Sequence, residues 1–443
     1  MKRLLLAALA ALCIVSSSHG YTNPYILGAI GTQAAAAPTA VACSTQDTAD
    51  TGTPTYTQDI TCSGLGGQTP KAAIIIVSGT ASSGSSAAEA KLAWWITDGT
   101  NSRALAIHSC DAQTTTDENN GTSEAGTLKI FATCSTSTSG TATFNSFITD
   151  GIRLNWTESP GSAFVLNAIF FAGDDITNVF VGDLTSAATD AGTAATTDPG
   201  FEPDIVYMAT VGNGNTESMT GTTTAFGLGW GWNDTTAKNF GSRWGTQNAV
   251  TTTTTSVGIH NDITVVADFG TGFELGAHSI TAYGASGFTV TSDDTAGGAD
   301  QLEFLAIKTS RQVWIGGFTT PTSTGNSSIT VGFQASHFEA ICNYAGSVNA
   351  WNGGHDATDS GSMSIGSGES GTTDSSVGFV AEDNVTTSDT YSFAGTNIIA
   401  IRNQADGTGF VTASLNSFTA TDVVLNYSAV DTGAHACIGF AIE

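Results

Sequence analysis

One phrase recurs three times along the chain, and that recurrence limits the fold more than anything else in the sequence. "SFITDGIRLNW" runs from Ser146 to Trp156, "YGASGFTVTSDD" from Tyr283 to Asp294, and "NSFTATDVVLNY" from Asn416 to Tyr427. Other landmarks keep the same interval. "GQTPKAAIIIVSG" opens at Gly67, "GFEPDIVYMATVG" at Gly200 and "GFQASHFEAICNYAG" at Gly332, steps of 133 and 132 residues. "LNAIFF", "LEFLAIK" and "IGFAIE" align on Ala168-Ile169, Ala306-Ile307 and Ala441-Ile442. Landmarks in one order at one spacing mark a tandem unit. The expected organisation is a repeat at 40–175, a second at 176–309 and a third at 310–443, behind a signal-like apolar segment at 1–20 and an arm at 21–39.

Each repeat reads as β. Short runs rich in Val, Ile, Phe and Thr are separated by Gly, Asn, Asp and Ser clusters. "AAIIIV" and "FVLNAIFF" are unbroken apolar runs, as expected of strands buried on both faces, whereas "GFTVTSD" alternates, as expected of a strand with one wet face. "SSAAEAKLAWW" is the nearest approach to a helix, and one turn is the most it allows. The fold class is therefore all-β: three tandem antiparallel β-sandwich units, jelly-roll-like, of about 130 residues each. Asp150-Gly151 suits a tight turn in which Gly takes positive φ. Gly227, Gly229 and Gly231 alternate with Leu228 and Trp230 at strand spacing, which lets a ring lie across the backbone rather than cradling a phosphate. Acidic surfaces and short connections point to an elongated array.

Thirty-nine Asp and Glu face twelve Lys and Arg, a formal charge of -27. A surface this acidic repels phosphate backbones, which excludes nucleic acid as a partner. The opening "MKRLLLAALAALCIVSSSHG" has a basic start, an apolar core and small residues before Tyr21, the pattern of a secretory signal cleaved after Gly20. A buried N-terminal helix in an uncleaved protein is the alternative. The expected location is extracellular or on a virion surface, with no membrane span in the mature chain. Six cysteines follow the signal segment. Cys43 and Cys62 flank a Thr-rich loop and make the first expected disulfide; Cys342 and Cys437, on the first and last strands of one unit, make the second. Cys110 and Cys134 stay open between a bridge and small buried thiols.

Chemistry is sparse. There is no G-x-S-x-G elbow, P-loop or dinucleotide fingerprint, and the histidines lack metal-ligand spacing. No cofactor is expected apart from calcium. Asp293, Asp294 and Asp300 in one loop, and Asp356 and Asp359 in another, are its candidate ligands, because hard cations take several loop oxygens. Asx turns facing water account for the same pattern. Trp230, Trp232 and Trp244 are the candidate glycan platform, with core or inter-unit packing as the competing role.

The "GFxPxxxxx" opening, the "FxxDGxxLNWT" phrase, the "xLAI" strand and "VWIGGFTTPTSTG" resemble a repeat found in bacteriophage and prophage structural proteins. The third repeat departs from that pattern, with Ala335-Ser336 in place of the opening Pro-Asp and without the Asp-Gly turn. The resemblance implies tandem β-rich units in a virion-associated protein and carries over no catalytic residue. The function expected is a non-enzymatic extracellular or virion-surface structural and assembly protein, with surface attachment as a further role. Its partners would be itself, other structural subunits or surface glycans. The rival is a secreted carbohydrate-binding protein or glycoside hydrolase.

Overall fold

The computed structural model describes residues 42–443 apart from 50–54, 124–125, 133–136, 212–223, 235–236, 247–248, 254, 270–273, 295–297, 345–350, 354–359, 370–373, 383–384 and 404–407. The signal-like segment and the arm at 21–39 lie outside the described residues. So do Cys134, Asp356 and Asp359, and the side chain of Asp294. Among the described residues the chain is strand throughout, with one short 3-10 turn at Ser63–Leu65.

Among the described residues six antiparallel sheets form three sandwiches, their strands numbered in chain order. The first pairs a sheet ordered β1 (Ala42–Thr48), β11 (Val165–Ala172), β3 (Pro70–Ser78), β5 (Ala90–Thr97), β6 (Ser102–Ser109) and β7 (Glu118–Ser123) with a smaller one ordered β2 (Tyr56–Thr61), β10 (Gly151–Glu158), β9 (Thr138–Ile148) and β8 (Leu128–Phe131). The second has β12 (Ile176–Thr185), β21 (Gln301–Thr309), β14 (Ile205–Thr210), β15 (Thr224–Asn233), β16 (Ala237–Thr246) and β17 (Thr255–His260) over β13 (Thr193–Thr196), β20 (Gly287–Asp294), β19 (Glu274–Gly284) and β18 (Val265–Phe269). The third has β22 (Val313–Thr319), β32 (Ala436–Ile442), β24 (His337–Asn343), β26 (Ser360–Glu369), β27 (Ser375–Glu382) and β28 (Thr390–Gly395) over β23 (Gly325–Thr330), β31 (Asp422–Ala429), β30 (Thr408–Phe418) and β29 (Ile399–Asn403). The strand order is the same in each. Consecutive strands mostly stay within one sheet, so each sandwich is two stacked meanders rather than a jelly roll that alternates between sheets.

Each large sheet buries both faces. Along β3, Ala73, Ile75 and Val77 face the smaller sheet of the same sandwich, while Ile74 and Ile76 face the other way. That second face belongs to a shared core. Ile74, Trp94, Tyr207, Trp230, Phe379 and Phe440, drawn from all three sandwiches, lie in one cluster. The first large sheet packs on the second through β6 against β12 and β15, the second on the third through β17 against β26, and the third on the first through β27 and β28 against β5. The expected elongated array of separately packed units is thus corrected to a closed ring in one compact unit, 40–443. An apolar run such as "AAIIIV" needs cover on both sides, and the neighbouring large sheets supply the second cover.

Two short strands are exchanged around this ring. β4 (Ser86–Ala88) leaves the first sandwich and adds to the edge of β28 in the third, Ala88 opposite Tyr391. β25 (Trp351–Gly353) leaves the third and adds to β17 in the second, Gly353 opposite Ser256. "SSAAEAKLAWW" is therefore β4 and β5 with Glu89 at φ 75 between them, and makes no helical turn.

Glycine readings change too. At the Asp150-Gly151 turn it is Asp150 that takes φ 61. Gly151 is required because a Cβ there would overlap the Ile60 carbonyl, and Gly287 meets Thr196 in the same way. A side chain on Gly229 would collide with the carbonyls of Thr264, just before facing β18, and Phe240, on neighbouring β16, so this glycine admits backbone and not a ring. Gly366 does the same for Ile398. At the matching place in the first sandwich stands Trp95, whose indole fills the gap and donates to Gly126 O at 2.8 Å. All three pair with the residue eight beyond an opening glycine: Ile75, Met208 and Ala340.

Candidate functional site

Several buried polar groups lie where sandwiches meet. At one end of the ring three loops interlock. Thr116 N–H donates to Val250 O at 3.0 Å, Thr253 N–H to Val385 O at 2.9 Å, and Ser388 N–H to Gln113 O at 2.8 Å. The hydroxyls of the same three residues accept in return: Thr116 from Val250 N–H at 3.1 Å, Thr253 from Val385 N–H at 2.9 Å, and Ser388 from Gln113 N–H at 2.9 Å. The signal for this was present and missed. "QTTT" at 113–116, "VTTT" at 250–253 and "VTTS" at 385–388 recur at the repeat spacing, each with two exposed threonines before a buried hydroxyl.

A second tier lies eleven residues beyond each opening glycine. Ser78 Oγ donates to Phe393 O at 2.8 Å, Asn343 Nδ2 to Gly258 O at 2.7 Å, and Val211 O accepts from Asn120 Nδ2 at 2.9 Å. Deeper still, seven residues beyond those glycines, stand Ile74, Tyr207 and Glu339. Tyr207 Oη donates to Glu339 Oε1 at 2.8 Å, and His337 Nε2 lies 3.3 Å from the same oxygen. Burial, the Glu339 charge and that hydrogen bond together push the Tyr207 phenol well above its ordinary value.

Some charged residues also reach across a junction. Arg103 reaches Asp183 Oδ1 through Nε at 2.9 Å and lies 3.5 Å from the fully buried Glu303, joining first sandwich to second. Asp98 Oδ2 accepts from Val181 N–H at 2.9 Å, blunting the edge of β12. Within the first sandwich, beside the third, Glu89 binds Lys91 at 2.6 Å and His108 at 3.2 Å. Burial pulls the Glu89 carboxyl up, but those two hydrogen bonds outweigh it and hold the group at about 2. Glu369 Oε1 accepts from Ser44 N–H at 3.3 Å, and burial raises its carboxyl against the influence of His337 and that bond.

The two expected disulfides are present as Cys43–Cys62 and Cys342–Cys437. Cys110 is buried. Cys43, Cys62 and Glu369 are the one group of metal-ligating side chains within reach of each other among the described residues, and the disulfide consumes both sulfurs. Of the candidate calcium ligands, Asp293 takes the Ser279 hydroxyl, and Asp300 takes His278 Nε2 at 3.0 Å. The glycan platform is corrected: Trp230 and Trp244 are 1% and 0% exposed in the shared core. Trp230 lies 6.0 Å from Tyr207 and 6.3 Å from Phe440, and Trp244 donates to Gly361 O at 2.9 Å. Sugar cannot reach either face. Trp232 alone is partly exposed, with Lys238 Nζ 4.5 Å above its ring.

Two open clefts lie among the described residues. One of ≈ 360 Å³ is lined by Asn101, Arg103, Thr143 and Phe144, and another of ≈ 320 Å³ by Ser44, Gln46, Thr61 and Ser83. No helix among the described residues is long and apolar enough to cross a membrane.

No family model and no curated protein matches the chain. Two solved structures align with it weakly. A fructofuranosidase from Schwanniomyces occidentalis complexed with fructose shares 10% identity at TM-score 0.14 over 89% of this chain and 97% of that one. A β-fructofuranosidase of the same organism complexed with fructosyl-erythritol shares 8% at 0.15 over 90% and 98%.

Proposed function

We propose that this chain is a non-enzymatic extracellular or virion-surface structural protein, acting as one closed block of three sandwiches. The observation that carries the reading is the use of its buried polar groups. Thr116, Thr253, Ser388, Tyr207, Glu339, Arg103 and Glu369 are directed across junctions. Side chains placed to hold sandwiches together serve a building block, whereas an enzyme directs such groups into a cleft. The ring presents three similar loops about one end, so one copy suits a site of threefold symmetry that a trimer of single units would otherwise occupy.

Two measurements test this. Immunogold electron microscopy of particles or cell surfaces from the producing organism should place the chain at regular positions. Sequencing the N-terminus distinguishes export (Tyr21) from cytoplasmic assembly (Met1). A soluble chain absent from every particle and surface, or turnover of an oligosaccharide panel by the purified protein, overturns the reading.

A further inference from the structure

Three junctions close the ring, but the chain runs through only two of them. Residues 173–175 connect first sandwich to second and 310–312 connect second to third, while third meets first with no peptide link. That unlinked junction is densely bonded. Gln46 Nε2 donates to Gly395 O at 3.3 Å, Lys91 N–H to Ser392 Oγ at 2.7 Å, Thr390 Oγ1 to Ser109 O at 3.0 Å, and Ser375 Oγ to Asn167 Oδ1 at 2.7 Å. It also holds the β4–β28 pairing. The loop ring and the second tier repeat at all three junctions, in linked and unlinked places alike. The two connections themselves lie together at the surface, Arg311 Nε donating to Asp175 Oδ2 at 2.9 Å and Ser310 Oγ to Asp175 Oδ1 at 2.7 Å.

We infer that each junction face is a docking surface whose partner is the one sandwich of this protein that faces it in the ring, whether or not the two share a chain. The covalent connections set which sandwiches are neighbours in sequence; the faces hold the ring. A head-to-tail interface of this kind closes when its rotation returns to the start, and the unlinked junction is where it returns. The same faces can then take a sandwich from a second copy when a connection is cut.

The test uses the full chain with one protease site inserted between Gly173 and Asp174 and another between Ser310 and Arg311. Folded protein is cut at both sites, then followed by gel filtration and native mass spectrometry at micromolar concentration. The expected result is one species at the mass of the uncut chain, holding the three fragments once each. Cut protein from isotope-labelled and unlabelled batches, unfolded together and refolded, should give mixed rings that still hold one fragment of each kind. Fragments that separate, or rings holding two copies of one fragment, overturn the inference. Single-site variants at each connection carry the same readout where the double insertion does not fold. A chain that unfolds on insertion at either connection alone also overturns it, because the connection is then required.

Discussion

Replacing Gly229 by Ala puts one methyl group where the structure has only backbone. The new Cβ would overlap the Thr264 and Phe240 carbonyl oxygens and stand 2.7 Å from Gly241 Cα. No rotamer relieves this, so β18 must move off β15. That movement strains the buried network in which Thr264 Oγ1 donates to Asn239 Oδ1 at 2.7 Å and Ile280 N–H donates to the same oxygen at 2.9 Å. Overpacking costs about 1–3 kcal/mol and a weakened buried hydrogen bond about 1 kcal/mol more, so the substitution should destabilise by about 2–4 kcal/mol. Two controls grade the effect. At Gly231 the added Cβ meets side chains, Ile280 and Tyr283, which can turn aside, and the loss should be near 1 kcal/mol. At Gly284 the nearest atom is 3.9 Å away, and the change should stay within about 0.5 kcal/mol. Urea titration followed by tryptophan fluorescence reads the order directly, since Trp230 and Trp244 are buried in the shared core. A Gly229→Ala protein as stable as the parent, or less affected than Gly231→Ala, would refute the close approach of β18 to β15.

Tyr207→Phe removes the donor to buried Glu339 and should cost about 1.5–3 kcal/mol; with Glu339→Gln in a double-mutant cycle, the joint loss should fall short of the sum. Asp374 is pushed up to about 6 by burial, against the Leu415 N–H bond at 2.6 Å, from an ordinary 3.8. Its folded value exceeds its unfolded one, so this group's stabilising contribution is complete below pH 3.8 and is lost as pH rises through about 6. Asp374→Asn should therefore stabilise by up to about 3 kcal/mol at pH 8 and by little at pH 3.5, read from urea midpoints at the two pH values. The two disulfides close loops of different length, 95 residues for Cys342–Cys437 and 19 for Cys43–Cys62. Converting the first pair to Ala should cost about 4–5 kcal/mol and the second about 3, and equal losses by thermal melting would count against the loop-entropy basis of the difference.

Strand identity was legible because unbroken apolar runs such as "AAIIIV" and alternating runs such as "GFTVTSD" say how many faces are covered. What covers the second face was not legible. A residue facing a neighbouring sandwich and one facing its own small sheet carry the same side-chain chemistry: Ile74 and Ile75 are adjacent isoleucines in different cores. Tryptophan suffers the same ambiguity. Nothing in "GLGWGWN" separates Trp230, sealed in the shared core, from Trp232, two residues on at the rim. The threonine loops were missed for another reason. Thr-Thr pairs are common in this Thr-rich chain, and only their common offset within the repeats distinguishes 114–115, 251–252 and 386–387 from the rest.

Equivalent positions with unequal side chains bear on why the three sandwiches share one chain. Ile74, Tyr207 and Glu339 occupy the same register, and Tyr207 and Glu339 touch across a junction. In a ring of three identical chains this place would hold three glutamates, three tyrosines or three isoleucines. Three buried carboxylates repel one another and lose their hydration; three phenols lack the charged acceptor; three isoleucines pack but distinguish no neighbour. One chain can place an acid, its donor and an apolar residue together, satisfying the carboxylate and marking which sandwich follows which. The same asymmetry appears where Trp95 stands for Gly229 and Gly366, and where Asn120 reverses the donor direction seen at Ser78 and Asn343. A ring with three distinct junctions assembles in one order, and that order is what refolding of cut chains would expose.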